Sequence, residues 1–112
     1  MQEDPEYAEF VDERFKMMPT YTESVLHAAV GISGEAGEII DAVKKTWAYG
    51  KPLDFENLVE EIGDLLFYVQ ALCNLLHVTV DSVVGDNVVK LNKRYPTGYS
   101  DADAIARADK TN

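Results

Sequence analysis

The chain has 112 residues, 46% of them hydrophobic, which suits one domain with a modest core and excludes wholesale disorder. Ten Lys and Arg stand against 20 Asp and Glu, and a net charge of −10 argues against a nucleic-acid-binding surface, because phosphate contacts need clustered cations. A single cysteine, Cys73, excludes an intrachain disulfide and a cysteine-based metal site, and its apolar neighbours mark it as a small core residue.

The N-terminus, Met1 to Glu6, is acidic and lacks the basic and apolar regions of a signal peptide. No apolar run reaches the length of a membrane span, so a soluble, cytoplasmic protein without membrane partners is expected. From Pro5 to about Met17, Tyr7, Phe10, Val11 and Phe15 fall at helical spacing, which predicts a short amphipathic helix closed by Pro19. Thr20 and Glu23 form a capping box that opens a long second helix. Its stripe runs through Val25, Ala28, Ile32, Ala36, Ile39, Val43 and Trp47, with Trp47 expected in the core. Gly31, Gly34 and Gly37 line one strip of that helix, for close helix packing or for the approach of a ligand.

The stretch from Ala48 to Pro52 breaks the pattern, and Asp54 caps a further helix reaching about His77, with Leu58, Ile62, Leu65, Val69, Leu72 and Leu76 as its stripe. A short connection between two long helices makes an antiparallel pair. Thr79 caps the next segment, read as helix from its three-to-four spacing and stopped by Pro96. Residues 100–109 suggest a short last helix. No strand is predicted. The fold class is all-α, an antiparallel helical bundle in a single domain over residues 1–112, with a core at about 20–96 and a tail at 97–112.

The chemistry lies in two pairs of acids, Glu35 with Glu38 and Glu61 with Asp64, each spaced three apart in apolar surroundings. Such spacing puts both carboxylates of a pair on one helical face, and an antiparallel hairpin brings the two pairs to similar height. Four carboxylates near a core repel one another and resist desolvation, and a hard cation held by oxygen ligands, Mg²⁺ or Mn²⁺, relieves both costs. A di-iron site would need a Glu-x-x-His pair, and neither His27 nor His77 has that spacing. His27 reads as a pocket-lining or partly buried side chain and His77 as a structural one. Basic residues are scarce. Lys44 and Lys45 complement the end of their helix, whereas Lys90, Lys93 and Arg94, beside Asn87, either do the same or meet the oxygens of a phosphate-rich ligand.

Gly34-Glu35-Ala36-Gly37-Glu38-Ile39, then Glu60-Glu61-Ile62-Gly63-Asp64-Leu65-Leu66, then Asn87, Lys90, Leu91, Lys93, Arg94, Tyr95 and Pro96 come in the order of a known family. Over about Val25 to Arg107 the chain resembles the MazG-like, all-α nucleoside triphosphate pyrophosphohydrolases. The resemblance implies Mg²⁺-dependent hydrolysis of a nucleoside triphosphate to the monophosphate and pyrophosphate, with Mn²⁺ able to substitute, for control of a nucleotide pool. A purine deoxynucleotide such as dGTP or dATP is a candidate substrate. By the match, Glu35, Glu38, Glu61 and Asp64 are the metal ligands, and Asn87, Lys90 and Arg94, with Lys93 beside them, meet phosphates or sugar. Where the family often has a further Glu, this chain has Gly34, so Glu60 or Asp41 is left to orient the attacking water. Tyr68, one turn beyond Asp64, and His27 are candidates for the base and sugar pocket. The long helices carry more apolar surface than one short helix can bury, so a four-helix core completed in a homodimer or homotetramer is expected. A non-catalytic helical module that binds a nucleotide or a protein is the alternative.

Overall fold

The computed structural model describes residues 5–110; the reading of the N-terminal sequence falls mainly on residues 1–4, outside the described part. Five α-helices run α1 (Pro5–Arg14), α2 (Tyr21–Tyr49), α3 (Phe55–Leu75), α4 (Val80–Arg94) and α5 (Asp101–Ala106), followed by a 3-10 turn at Ala108–Lys110. No strand forms among the described residues, as expected for an all-α chain; the only pairing of extended type is an isolated bridge between Pro96 and Gly98. The chain divides into two compact units, residues 5–77 with α1 to α3 and residues 78–110 with α4, α5 and the 3-10 turn.

In the first unit each helix boundary has a local cause. Thr20 accepts a hydrogen bond from the Glu23 amide (3.2 Å), while its hydroxyl donates to the Glu23 carboxylate (2.9 Å), so the capping box forms with Glu23 reaching the Thr20 side chain. Gly50 ends α2 in the left-handed region (φ 65°), its amide donating to Thr46 O, and Lys51 N–H reaches back to Lys45 O (3.4 Å). Asp54 then caps α3 by accepting from the Asn57 amide (3.1 Å). With so short a link, α3 folds back along α2.

α1 packs against α3 and closes the end of this hairpin remote from the link. There Val11, Phe15, Ala28, Ala71 and Leu75 form the buried core, with Tyr7, Val25, Phe67, Tyr68 and Leu72 against it. Cys73 is buried, as its apolar neighbours predict. Asn74 donates to Ala8 O and accepts from Gln70, both at 2.9 Å, so its part-buried amide is satisfied while it ties α1 to α3. The wholly buried Ser24 accepts from the Met18 amide (2.9 Å) and holds the α1–α2 connection. Tyr21 donates to Leu75 O (2.9 Å), satisfying a carbonyl at the open end of α3.

Trp47 is not in the core: it is 83% exposed. The reason is length. At about 1.5 Å per residue, the ten residues of α1 cover about 15 Å, whereas the 29 of α2 extend about 43 Å. The loop half of the hairpin therefore lies beyond the reach of α1, and Ile40, Val43 and Trp47 there are exposed.

In the second unit Thr79 caps α4 by accepting from the Ser82 amide (3.0 Å). α5 and the 3-10 turn pack on α4. The expected last helix is split at Arg107, whose left-handed backbone (φ 51°) ends α5 and redirects the chain. No single helix among the described residues is long and apolar enough to cross a membrane.

Candidate functional site

Glu35 and Glu38 lie one turn apart on α2, Glu61 and Asp64 one turn apart on α3. The hairpin brings Glu35, Glu61 and Asp64 together, with one carboxylate oxygen from each within 4.8 Å of the others. Glu35 and Glu61 are half-buried and Asp64 is exposed. Glu38 is exposed and stands outside this triplet, though its charge still acts on Glu61. Glu60 is exposed and belongs to no part of the cluster.

The electrostatics centre on Glu61. Partial burial pushes its carboxyl above the usual glutamate range, and a hydrogen bond with Glu35 and the charges of Glu35, Asp64 and Glu38 push it further in the same direction. A carboxyl whose proton affinity is raised by surrounding carboxylates is what a site built for a cation looks like without the cation's charge. The donor set fits a hard divalent ion: all ligands are oxygens, and oxygens facing each other across an ion with bonds of about 2.1 Å are about 4.2 Å apart. Small rotations of half-exposed side chains bring the observed spread to that value.

The sign of the pH effect follows. A carboxyl whose folded pKa is raised binds more protons folded than unfolded, so its contribution to stability declines as pH rises from about 4 through the raised value. Metal-free protein is therefore expected to lose unfolding midpoint over that window relative to a Glu35→Gln variant, in which Glu61 has lost its nearest like charge. Thermal unfolding of both proteins between about pH 4 and 7 checks this. Parallel curves would show that the carboxyls do not interact.

Next to the acids stands an aromatic wall. One turn before Glu35, Gly31 lies under the Tyr68 ring, which comes from one turn after Asp64; a Cβ at position 31 would sit 2.5 Å from Tyr68 Cγ. His27 is edge-on to Tyr68 (centroids 6.1 Å apart) and stacks on Phe15 (4.6 Å). Its Nδ1 lies 3.0 Å from Lys16 O, an acceptor only, so Nδ1 carries the proton in this arrangement. His27 and Tyr68, both predicted site residues, thus meet each other, Tyr68 one turn from Asp64 and His27 two turns before Glu35. Of the three glycines, Gly31 serves close packing, whereas Gly34 and Gly37 have nothing within 4 Å of an added Cβ.

One neighbour was invisible in the sequence. Burial raises the Tyr7 phenol above its usual range, and the charge of Asp64 raises it further, so α1 brings a phenol within electrostatic reach of the acids. Tyr7 read only as part of an amphipathic stripe, and no spacing within α1 reveals a neighbour on α3.

The remaining predicted residues belong to the second unit. Asn87, Lys90 and Lys93 are exposed on α4, with Asn87, Lys90 and Arg94 on one face of it. Arg94 is engaged: its Nε donates to Asp109 Oδ1 (2.7 Å) and its Nη2 to Asp109 Oδ2 (3.0 Å).

The chain is 34% identical over 80 residues to the Gene 37 protein of Mycobacterium phage L5, an alignment that covers 68% of this chain and 70% of that protein. No solved structure matches with significance. The profile of the MazG nucleotide pyrophosphohydrolase domain matches residues 23–99, a span that begins in α2, takes in both acid pairs and includes the whole of α4. An all-α chain with its carboxylates gathered inside that match belongs to the MazG nucleotide pyrophosphohydrolase domain family.

Proposed function

We propose that this protein hydrolyses a nucleoside triphosphate to the monophosphate and pyrophosphate with a divalent ion, Mg²⁺ by preference and Mn²⁺ as a substitute. The observation that carries the reading is the meeting of Glu35, Glu61 and Asp64 across the α2–α3 hairpin, inside the segment that matches the family. These three, with Glu38 one turn from Glu35, would hold the ion. Bound there, it supplies positive charge to the triphosphate oxygens and lowers the pKa of coordinated water.

The chain's own residues do the rest. Water attacks the α-phosphorus, the bond from that phosphorus to the bridging oxygen breaks, and pyrophosphate departs with the bond's electron pair. A carboxylate outside the ligand set takes the proton from water, and Glu60 or Asp41, both exposed, is available for it. Tyr68 and His27 form a wall for the base or sugar. Asn87, Lys90, Lys93 and Arg94 meet the phosphates and sugar from α4. A purine deoxynucleotide such as dGTP or dATP is the substrate class we favour, in the service of a nucleotide pool.

The test is product analysis after incubation with Mg²⁺ or Mn²⁺ and each common NTP and dNTP in turn. Monophosphate and pyrophosphate in equal amounts, abolished by chelator, are expected, and the ranking of rates names the base. Folded, metal-binding protein that turns over none of them would favour a non-catalytic nucleotide-binding module.

We further propose that the enzyme is a homodimer or a pair of dimers. Ile40 and Trp47 on α2 are 64% and 83% exposed, and Phe55, Val59, Ile62 and Leu66 repeat at helical spacing on α3, all of them exposed. A two-helix surface of this kind, left open beyond the reach of α1, suits a second copy packing as a four-helix bundle. Ile40→Glu is expected to convert the oligomer to monomer in light scattering while leaving helix content unchanged. An unchanged mass would place the contact elsewhere.

A further inference from the structure

The Arg94 guanidinium already holds an anion. Asp109 takes its Nε and Nη2 in two parallel hydrogen bonds of 2.7 and 3.0 Å, the fork geometry by which arginine grips a phosphate. The carboxylate is well enclosed, its side chain 1% exposed against 16% for Arg94. Around the pair, Arg94 lies over the Tyr95 ring (5.9 Å) and Tyr95 packs on Tyr99 (5.2 Å), so the fork is held in one orientation. Asp109 arrives on a single 3-10 turn that follows Arg107, a non-glycine residue in the left-handed region. On the same face of α4, Lys90 and Asn87 are exposed, and Lys90 has no ion pair among the described residues.

We propose that Asp109 is a built-in stand-in for phosphate, and that a nucleotide's polyphosphate binds at Arg94 by exchanging with it and releasing the C-terminal turn. This rests on the reading that Arg94 meets substrate. The exchange is physically inexpensive because the guanidinium trades one bidentate oxyanion for another and is never left desolvated and unpaired. What the ligand must overcome is the closed state itself, so Asp109 lowers apparent affinity by the fraction of molecules in which the fork is taken. The mutual stabilisation of the two charges, which holds the Asp109 carboxyl below its usual range and raises the guanidinium, is consistent with a predominantly closed pair. Asp109 is thus a positioning residue that acts through Arg94 and sets the concentration at which the polyphosphate is gripped.

The test uses the full chain and inorganic tripolyphosphate, with the Arg94 Nε–H resonance, assigned by its loss in Arg94→Lys, as the readout. Tripolyphosphate is expected to shift that resonance and to speed amide exchange at residues 107–110 in the unaltered protein. Asp109→Asn is expected to bind tripolyphosphate about tenfold more tightly and to lower KM by a similar factor with kcat unchanged. If Asp109→Asn disorders the turn beyond use, exchange at residues 107–110 in the unaltered protein still decides: no acceleration by tripolyphosphate overturns the proposal. An Arg94 resonance that stays still, or an Asp109→Asn protein with unaltered affinity and KM, overturns it equally and leaves the pair a structural latch. Tripolyphosphate that displaces Asp109 in a protein without turnover of any nucleotide would sink the enzymatic reading and keep this one. Turnover with KM indifferent to Asp109→Asn would do the reverse.

Discussion

Glu61→Gln is expected to reduce divalent-dependent pyrophosphate release by about 10²-fold or more, the scale on which a lost ligand or its supporting groups weakens a metal site. Glu61 is the carboxyl on which Glu35, Glu38 and Asp64 all act. Without the ion those interactions are repulsive, and the amide removes them while keeping the shape of the side chain. The same substitution is therefore expected to leave the unfolding midpoint in chelator unchanged or higher, although it destroys metal binding. This opposition separates a ligand from a structural acid, since a residue kept for packing loses stability and activity together. Activity against a preferred triphosphate, calorimetric Mn²⁺ titration and thermal unfolding in chelator are the three measurements. Full activity in Glu61→Gln would move the metal centre away from the α2–α3 hairpin.

Gly31→Ala is expected to destabilise the protein by about 1–3 kcal/mol, the usual cost of overpacking. In an exposed helix the change would gain about 1 kcal/mol through chain entropy. Here the new methyl meets Cγ, Cδ1 and Cε1 of Tyr68, the first of them at the root of the ring. The ring has little freedom to retreat, with Phe67 edge-on at 5.2 Å and His27 at 6.1 Å. Gly34→Ala, one turn onward on the same helix and with open space around it, is the control and is expected to stabilise by about 0.5–1 kcal/mol. Urea unfolding of the two variants gives both numbers. Because Tyr68 stands one turn from Asp64, Gly31→Ala is also expected to raise KM more than it lowers kcat. A neutral or stabilising Gly31→Ala would show that the wall is loose and would weaken the assignment of Tyr68 to the pocket.

Much of the fold could be read without coordinates, because its determinants are local. Thr20, Asp54 and Thr79 each cap the helix that their side chains predict, and Gly50 ends α2 through a backbone conformation that glycine adopts without steric cost. The acid pairs were legible for the same reason: i to i+3 spacing puts two side chains on one face whatever lies opposite, and a short link forces two helices to fold back. Boundaries were less secure where a tertiary contact intervenes. α1 ends at Arg14 rather than near Met17, since the following residues turn to give Lys16 O to His27 and the Met18 amide to Ser24.

By itself, then, the sequence determined the helices, their caps, the antiparallel hairpin and the two acidic faces, all products of short-range geometry. Only the tertiary structure decided which apolar residues are covered, which acids meet and that Arg94 is paired. Trp47 carries the same periodic signal as Phe15, but α1 is too short to reach it. Glu38 has the same spacing as Glu35 yet stands outside the close triplet. Tyr7 comes to Asp64, and Asp109 to Arg94, across intervals of sequence that no periodicity spans. A repeat fixes the direction of a side chain about its own helix axis; what it meets depends on where the next helix stops.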